Sequence, residues 1–200
     1  MWKTPLKTLE SKFGLKNNDK AILVSIRHQK MYFIVKGTLK KVFPISTSKY
    51  GIGAEANSKK TPLGVHKICE KIGSGAKKMT IFKNRLDTGE RAVLNGEKNK
   101  ERMVTTRVLR LEGLEEGVNK GEGIDTYKRN VYIHGTPEES LIGKPASDGC
   151  IRMTNKDIIT LFTRVPLETL VQIHPSVIPA PSVIPAKPCE LTKAIRRFPG

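Results

Sequence analysis

KAILVSIRHQKMYFIVKGTLKKVFPIS, Lys20 to Ser46, is the stretch from which the fold class is read. Ala21–Ile26 and Lys30–Val35 are short apolar runs separated by Arg27-His28-Gln29, a polar break of hairpin length. Lys36-Gly37 makes a second turn into Thr38–Ser46, where Leu39, Lys41, Phe43 and Ile45 alternate with Lys40 and Val42. Three short strands joined by tight turns predict a meander, which suits a sandwich or barrel better than a βαβ unit.

From Thr47 to Pro62 the chain is glycine-rich and polar, with Tyr50-Gly51-Ile52-Gly53 followed by Ser58-Lys59-Lys60-Thr61-Pro62-Leu63-Gly64. Neither this segment nor Gly73-Ser74-Gly75-Ala76-Lys77-Lys78 has the G-x-x-x-x-G-K-[ST] spacing of a phosphate loop, so both read as plain loops. Val65–Ile72 and Thr105–Leu111 read as further strands, with Lys83–Arg102 a charged surface excursion between them. Val131-Tyr132-Ile133 is a short strand ending on His134-Gly135. A single helix is expected after it, capped by Thr154 with Asp157 three residues on, carrying Ile158, Leu161, Phe162 and Val165 on one face and stopped by Pro166. Leu170–Ile173 returns as a strand.

Residues 1–19 read as a polar N-terminal extension, 20–174 as the domain, and 175–200 as an extended proline-rich tail, in which Pro175–Ala180 is repeated as Pro181–Ala186.

Two hundred residues make about one domain with a core of its own. Apolar residues are 38% and charged residues 28%, which excludes a collagen, a coiled coil and a disordered chain. No window approaches the ~20 apolar residues of a membrane span, and no basic start followed by an apolar segment marks a signal peptide. Thirty-six Lys and Arg against 19 Asp and Glu give +17, an excess that favours a polyanionic neighbour such as nucleic acid, anionic lipid or an acidic wall polymer. With 6% aromatics, stacking platforms for nucleic-acid bases are sparse. Cys69, Cys150 and Cys189 form no C-x-x-C pair and no zinc spacing with the four histidines, so no metal or cofactor is expected.

Chemistry concentrates in VYIHGTPEESLIGKPASDGCIRMTN, Val131 to Asn155. A cysteine nucleophile needs a base to take its proton, and imidazole, with an ordinary pKa of about 6.5, suits that task. The base needs an orienting partner on its other nitrogen, which a backbone carbonyl can be. Glycine beside the cysteine lets substrate approach the backbone, whose amides can hold an oxyanion. From chemistry alone, one histidine and one cysteine leave catalysis and coincidence both open.

At these residues the sequence resembles the L,D-transpeptidase catalytic domain family, also called YkuD. The resemblance rests on His134-Gly135-Thr136, Ile142-Gly143-x-Pro145 and Ser147-Asp148-Gly149-Cys150-Ile151-Arg152-Met153-x-Asn155, with Tyr50-Gly51 and Thr61-Pro62-x-Gly64 upstream. It implies a mainly β fold, a sandwich of mixed sheets with one helix after the cysteine. It implies that Cys150 attacks the bond between the position-three diamino acid and D-Ala of a peptidoglycan stem, that His134 is the base, and that Gly135 orients the imidazole through its carbonyl. Ser147, Asp148, Gly149 and Arg152 would form the substrate and oxyanion side, and carbapenems acylate the cysteine of this family. An acceptor amine then gives a 3→3 cross-link, whereas water makes a carboxypeptidase. A basic module that keeps the fold and binds wall without catalysis is the remaining alternative. The partners expected are stem peptides and anionic wall polymers, with no nucleic acid and no membrane insertion, at the periplasm or wall.

Asp148 stands where most members carry histidine. A carboxylate there opposes thiolate formation unless neutralised, so it is expected to pair with Arg152 or His134, or to attract the ammonium of the acceptor. A tolerated loop substitution is the plain alternative.

Overall fold

A computed structural model describes residues 3–16, 19–96 and 103–176. Its first element is a helix, α1 (Lys3–Phe13). The meander follows as β1 (Lys20–Ser25), β2 (Lys30–Val35) and β3 (Thr38–Pro44), paired antiparallel with one bulge between Phe33 and Ile34. Gln29 in the first turn is buried: its side chain donates to Thr47 Oγ1 at 2.7 Å and accepts the Thr47 N–H at 2.8 Å, fastening the hairpin to the start of the glycine-rich loop.

The chain continues through β4 (Gly64–Ile72), β5 (Thr80–Lys83), β6 (Leu86–Arg91), β7 (Val104–Gly113), β8 (Tyr132–Gly135), β9 (Ile151–Met153), α2 (Asn155–Arg164) and β10 (Leu170–His174). The pairing order is β3-β2-β1-β10-β4-β7-β5-β6, with β8 on the other edge of β7 and β9 beside β8. β1–β10 and β8–β9 are parallel and the remaining pairs antiparallel, so the fold is mainly β with a mixed sheet. The sheet also closes on itself. Ser46, just past β3, exchanges both backbone hydrogen bonds with Arg152 in β9, at 2.9 and 2.8 Å.

Inside this wrap Ile22, Phe33, Phe43, Leu109, Ile133 and Ile151 pack against Ile158, Leu161 and Phe162 of α2. Thr154 caps α2 as expected, accepting the Asp157 N–H at 3.1 Å. Asn155, at the first turn, is fully buried and ties three elements together: it accepts from Thr105 and Thr106 of β7 and donates to Thr136 O and Glu139 Oε1, both at 2.7 Å.

The expected single helix after the cysteine is α2, and the N-terminal extension adds a helix of its own, α1. Leu6 and Leu9 are spaced to share one helical face, and they bury against Ala21, Leu23, Tyr32, Ile34 and Val65 on the outer side of the sheet. Lys7 and Thr8 between them, and the lysines on either side, hide that stripe in a plain composition reading. The charged excursion is also more ordered than expected, since β5 and β6 pair as an arm whose β6 residues are all exposed. Most of the proline-rich tail, with Cys189, lies outside the described residues. Among the described residues no helix is long and apolar enough to cross a membrane.

Leu9 is fully buried. Leu9→Ala is therefore expected to lower the unfolding free energy by about 2–5 kcal/mol, read from urea denaturation. A loss below about 0.5 kcal/mol, the scale of a surface change, would show that α1 does not dock.

Candidate active site

Parallel pairing of β8 with β9 sets Ile133 opposite Ile151 and His134 opposite Arg152. Strand alternation sends Ile133, Ile151 and Met153 into the core, so His134 and Arg152 share the opposite face. One residue before β9, Cys150 follows the same alternation and packs beside Tyr132 and Val108 on that face. The fifteen residues between His134 and Cys150 are thus folded out of the way, and the two lie diagonally across adjacent strands.

His134 is buried and its Nδ1 lies 2.8 Å from the carbonyl oxygen of Gly135. A carbonyl only accepts, so Nδ1 carries the proton and Nε2 keeps its lone pair. Burial drives the imidazole pKa down to about 4, against the Gly135 bond and with the help of the Arg152 charge. At neutral pH it is an uncharged base. Gly135 itself has no room for a side chain: a Cβ would meet Thr105 O at 2.7 Å and Asn155 Oδ1 at 2.8 Å.

Burial likewise raises the Cys150 thiol above its ordinary value, while the Tyr132 amide, Arg152 and Arg129 pull it back. The resting pair is therefore thiol and neutral imidazole. Sγ accepts the Tyr132 N–H at 3.4 Å and donates to Asn130 O at 3.7 Å. Neither of these bonds goes to His134.

The other expected residues divide between wall and scaffold. Asp148, Gly149 and Cys150 line a cleft of about 490 Å³ with Lys59, Asp125, Lys128 and Arg129. Ser147 is buried and acts within its own turn, donating to Cys150 O at 2.5 Å and accepting the Gly149 N–H at 3.3 Å. The Gly149 amide, expected among the oxyanion donors, is thus already engaged, and the amide facing the sulfur belongs to Tyr132. Arg152, expected as one partner for Asp148, forms its ion pair with Glu138 at 2.9 Å. Among the described residues no cluster of His, Cys, Asp or Glu could hold a metal ion.

The family model described as YkuD, L,D-transpeptidase catalytic domain, matches residues 19–173. The chain belongs to that family. It is 50% identical over 48 residues to the YkuD protein of Bacillus licheniformis and 51% identical over 47 residues to that of Bacillus subtilis. Each stretch is 24% of this chain and 29% of the relative, so the match spans under a third of either protein. An L,D-transpeptidase from Mycobacterium smegmatis shares the fold, with a TM-score of 0.50 and 16% identity over 78% of this chain and 58% of that one.

In this L,D-transpeptidase domain the cleft wall opposite the Gly149–Cys150 turn comes from residues 114–130, between β7 and β8, which the motif does not include. Their length was the available signal, since loops beyond about 12–15 residues are uncommon in compact domains unless functional. The loop is anchored from behind. Asn119, fully buried, donates to Leu63 O at 2.9 Å and Val65 O at 3.1 Å, and buried His66 bridges Gly64 O and Thr126 Oγ1. Its end is held by Arg110, which donates to Glu70 at 2.8 Å and to Asn130 Oδ1 at 3.0 Å, so the carbonyl that accepts the thiol sits on a braced residue. Thr61 braces the other side, donating to Gly149 O at 3.0 Å.

Gly149 has φ +116°, and a Cβ there would lie 3.2 Å from Lys60 O. Gly149→Ala should cost about 1–3 kcal/mol through that strain and slow alkylation of Cys150; unchanged urea midpoint and alkylation rate would show that the turn tolerates a side chain.

His66 and His134 are both driven by burial to about 4. Protons then bind the unfolded chain in preference to the folded one between pH ~6.5 and ~4. Stability is full above that window, falls by up to about 3 kcal/mol per histidine as pH drops through it, and levels off below. Urea titrations across the window should show this slope, shallower in His66→Gln; a flat profile would contradict it.

Proposed function

We propose that the chain is a peptidoglycan L,D-transpeptidase domain in which Cys150 is the nucleophile and His134 the base. The single observation that carries this reading is the shared face of β8 and β9: a thiol at a cleft floor, and a neutral imidazole locked by Gly135 O with Nε2 left open.

Cys150 Sγ attacks the carbonyl of the position-three diamino acid as its proton passes to His134 Nε2. The thioester forms, the bond to D-Ala breaks, and the imidazolium returns that proton to the departing amine. The amine of a second stem, losing its proton to His134, then attacks the thioester and gives a 3→3 cross-link, regenerating the thiol. Because the resting thiol is protonated, proton transfer accompanies attack, and the Tyr132 amide is placed to take hydrogen-bonded charge from the sulfur or the acyl oxygen. Asp148 is a cleft residue whose carboxylate oxygens are both buried, so its charge would act on the ammonium of the acceptor at a distance rather than by contact. A stem-peptide substrate places the protein at the periplasm or wall, where its +17 charge favours anionic polymers.

The test is mass spectrometry of disaccharide-tetrapeptide muropeptides incubated with the parent protein, Cys150→Ala and Asp148→Asn. The parent should release D-Ala and form dimers, Cys150→Ala should do neither, and Asp148→Asn should release D-Ala with fewer dimers. Tripeptide without dimers would establish a carboxypeptidase that uses water as acceptor. No conversion by folded parent protein would leave a basic wall-binding module.

A further inference from the structure

Arg129 is named by no part of the motif, yet it lines the cleft with Cys150. Its half-buried guanidinium reaches the opposite wall, donating to Lys60 O at 2.8 Å, Gly53 O at 3.3 Å and Ser58 Oγ at 3.4 Å. Lys60 O is also the carbonyl against which Gly149 packs, and Ser48 Oγ holds the neighbouring Lys59 O at 2.6 Å. Guanidinium, Lys60 peptide and nucleophile turn therefore form one continuous packed line.

The three acceptors of Arg129 are neutral, so they fix the charge without cancelling it. The charged and titratable groups around Cys150 are Lys128, Arg129 and Asp125 from the β7–β8 loop, Lys59 from the Gly53–Lys60 segment, Asp148 from its own turn, Arg152 from β9, and Tyr132 and His134 from β8. Lys59 and Lys128 are exposed and screened by water, and Arg152 is paired with Glu138. Glu55, the carboxylate that acts on Arg129, is itself exposed. Arg152 and Arg129 are the cations that act on the sulfur, and of the two only Arg129 is held by neutral acceptors; a guanidinium stays charged at every working pH.

We propose that Arg129 is a positioning residue for the nucleophile: it locks the Gly53–Lys60 segment against the Gly149–Cys150 turn and holds a fixed positive charge for the thiolate and acyl oxygen that develop there. The proposal rests on Cys150 being the nucleophile. It requires no particular acceptor.

The test is alkylation of Cys150 by iodoacetamide against pH, followed by peptide mass mapping that separates Cys150 from Cys69 and Cys189, in the parent, Arg129→Lys and Arg129→Gln. Losing the charge should raise the alkylation midpoint of the Gln protein by about 0.5–1 pH unit and slow its reaction at neutral pH about three- to tenfold. The Lys protein should keep the parent midpoint while both variants melt lower, because the three-acceptor grip is gone. A Gln protein with the parent midpoint, or a Lys protein shifted as far as Gln, would overturn the proposal. If the Gln protein does not fold, the ratio of iodoacetate to iodoacetamide rates in parent and Lys proteins decides: a ratio above that of a free thiol in both supports a fixed cation, and the free-thiol ratio overturns it. Alkylation needs no muropeptide, so failure to process stems and failure of this proposal read out separately.

Discussion

The parallel ladder between β8 and β9, sealed at its far edge by the Ser46–Arg152 pair, is the constraint on which the rest of the site depends. Because side chains alternate along a strand, one register decision sends Ile133, Ile151 and Met153 into the core and leaves His134, Cys150 and Arg152 on the other face. A slip by one residue would turn the charged and reactive groups into the apolar core and the apolar ones out of it. The core therefore enforces the geometry of the chemistry: the hydrophobic burial that stabilises the fold also fixes which groups can meet.

Around that ladder the chain uses buried polar residues as braces. Asn155, Asn119, Thr61, Gln29 and His66 are buried with their hydrogen bonds made to backbone or to other buried side chains. A buried polar group is costly unless satisfied, so each brace specifies one arrangement of the loops it touches. This suits a fold whose site is made mostly of loop. The glycine-rich Thr47–Pro62 segment and the β7–β8 loop have few apolar residues, and hydrogen bonds supply the order that burial does not.

The electrostatics of the site work in the same direction. Burial penalises charge on both His134 and Cys150, so the protein stores a neutral pair and surrounds it with fixed cations. Arg152, Arg129 and the Tyr132 amide oppose the cost of charge on the sulfur, and in the proposed reaction that charge would appear only in the transition state. The +17 of the whole chain acts at longer range on what approaches the cleft.

The strands of the meander, the α2 cap at Thr154 and the His134-Gly135 and Ser147–Asn155 motif were legible because each is a local pattern: alternation, an N-cap spacing, a short contiguous string. Helix α1 was not, because its apolar stripe is thin and gains its stability from the sheet face it covers rather than from its own sequence. Arg129, Asn130 and the Tyr132 amide were not legible either. They lie in, or just after, a loop whose path is set by Asn119, His66 and Arg110, and those contacts join residues far apart in the chain. The sequence by itself determined the family and the β-rich class, and named the thiol and imidazole of the proposed reaction. Only the tertiary structure decided which groups face the sulfur and which are occupied elsewhere, because hydrogen-bond partners and burial are set by long-range packing, on which local periodicity carries no information.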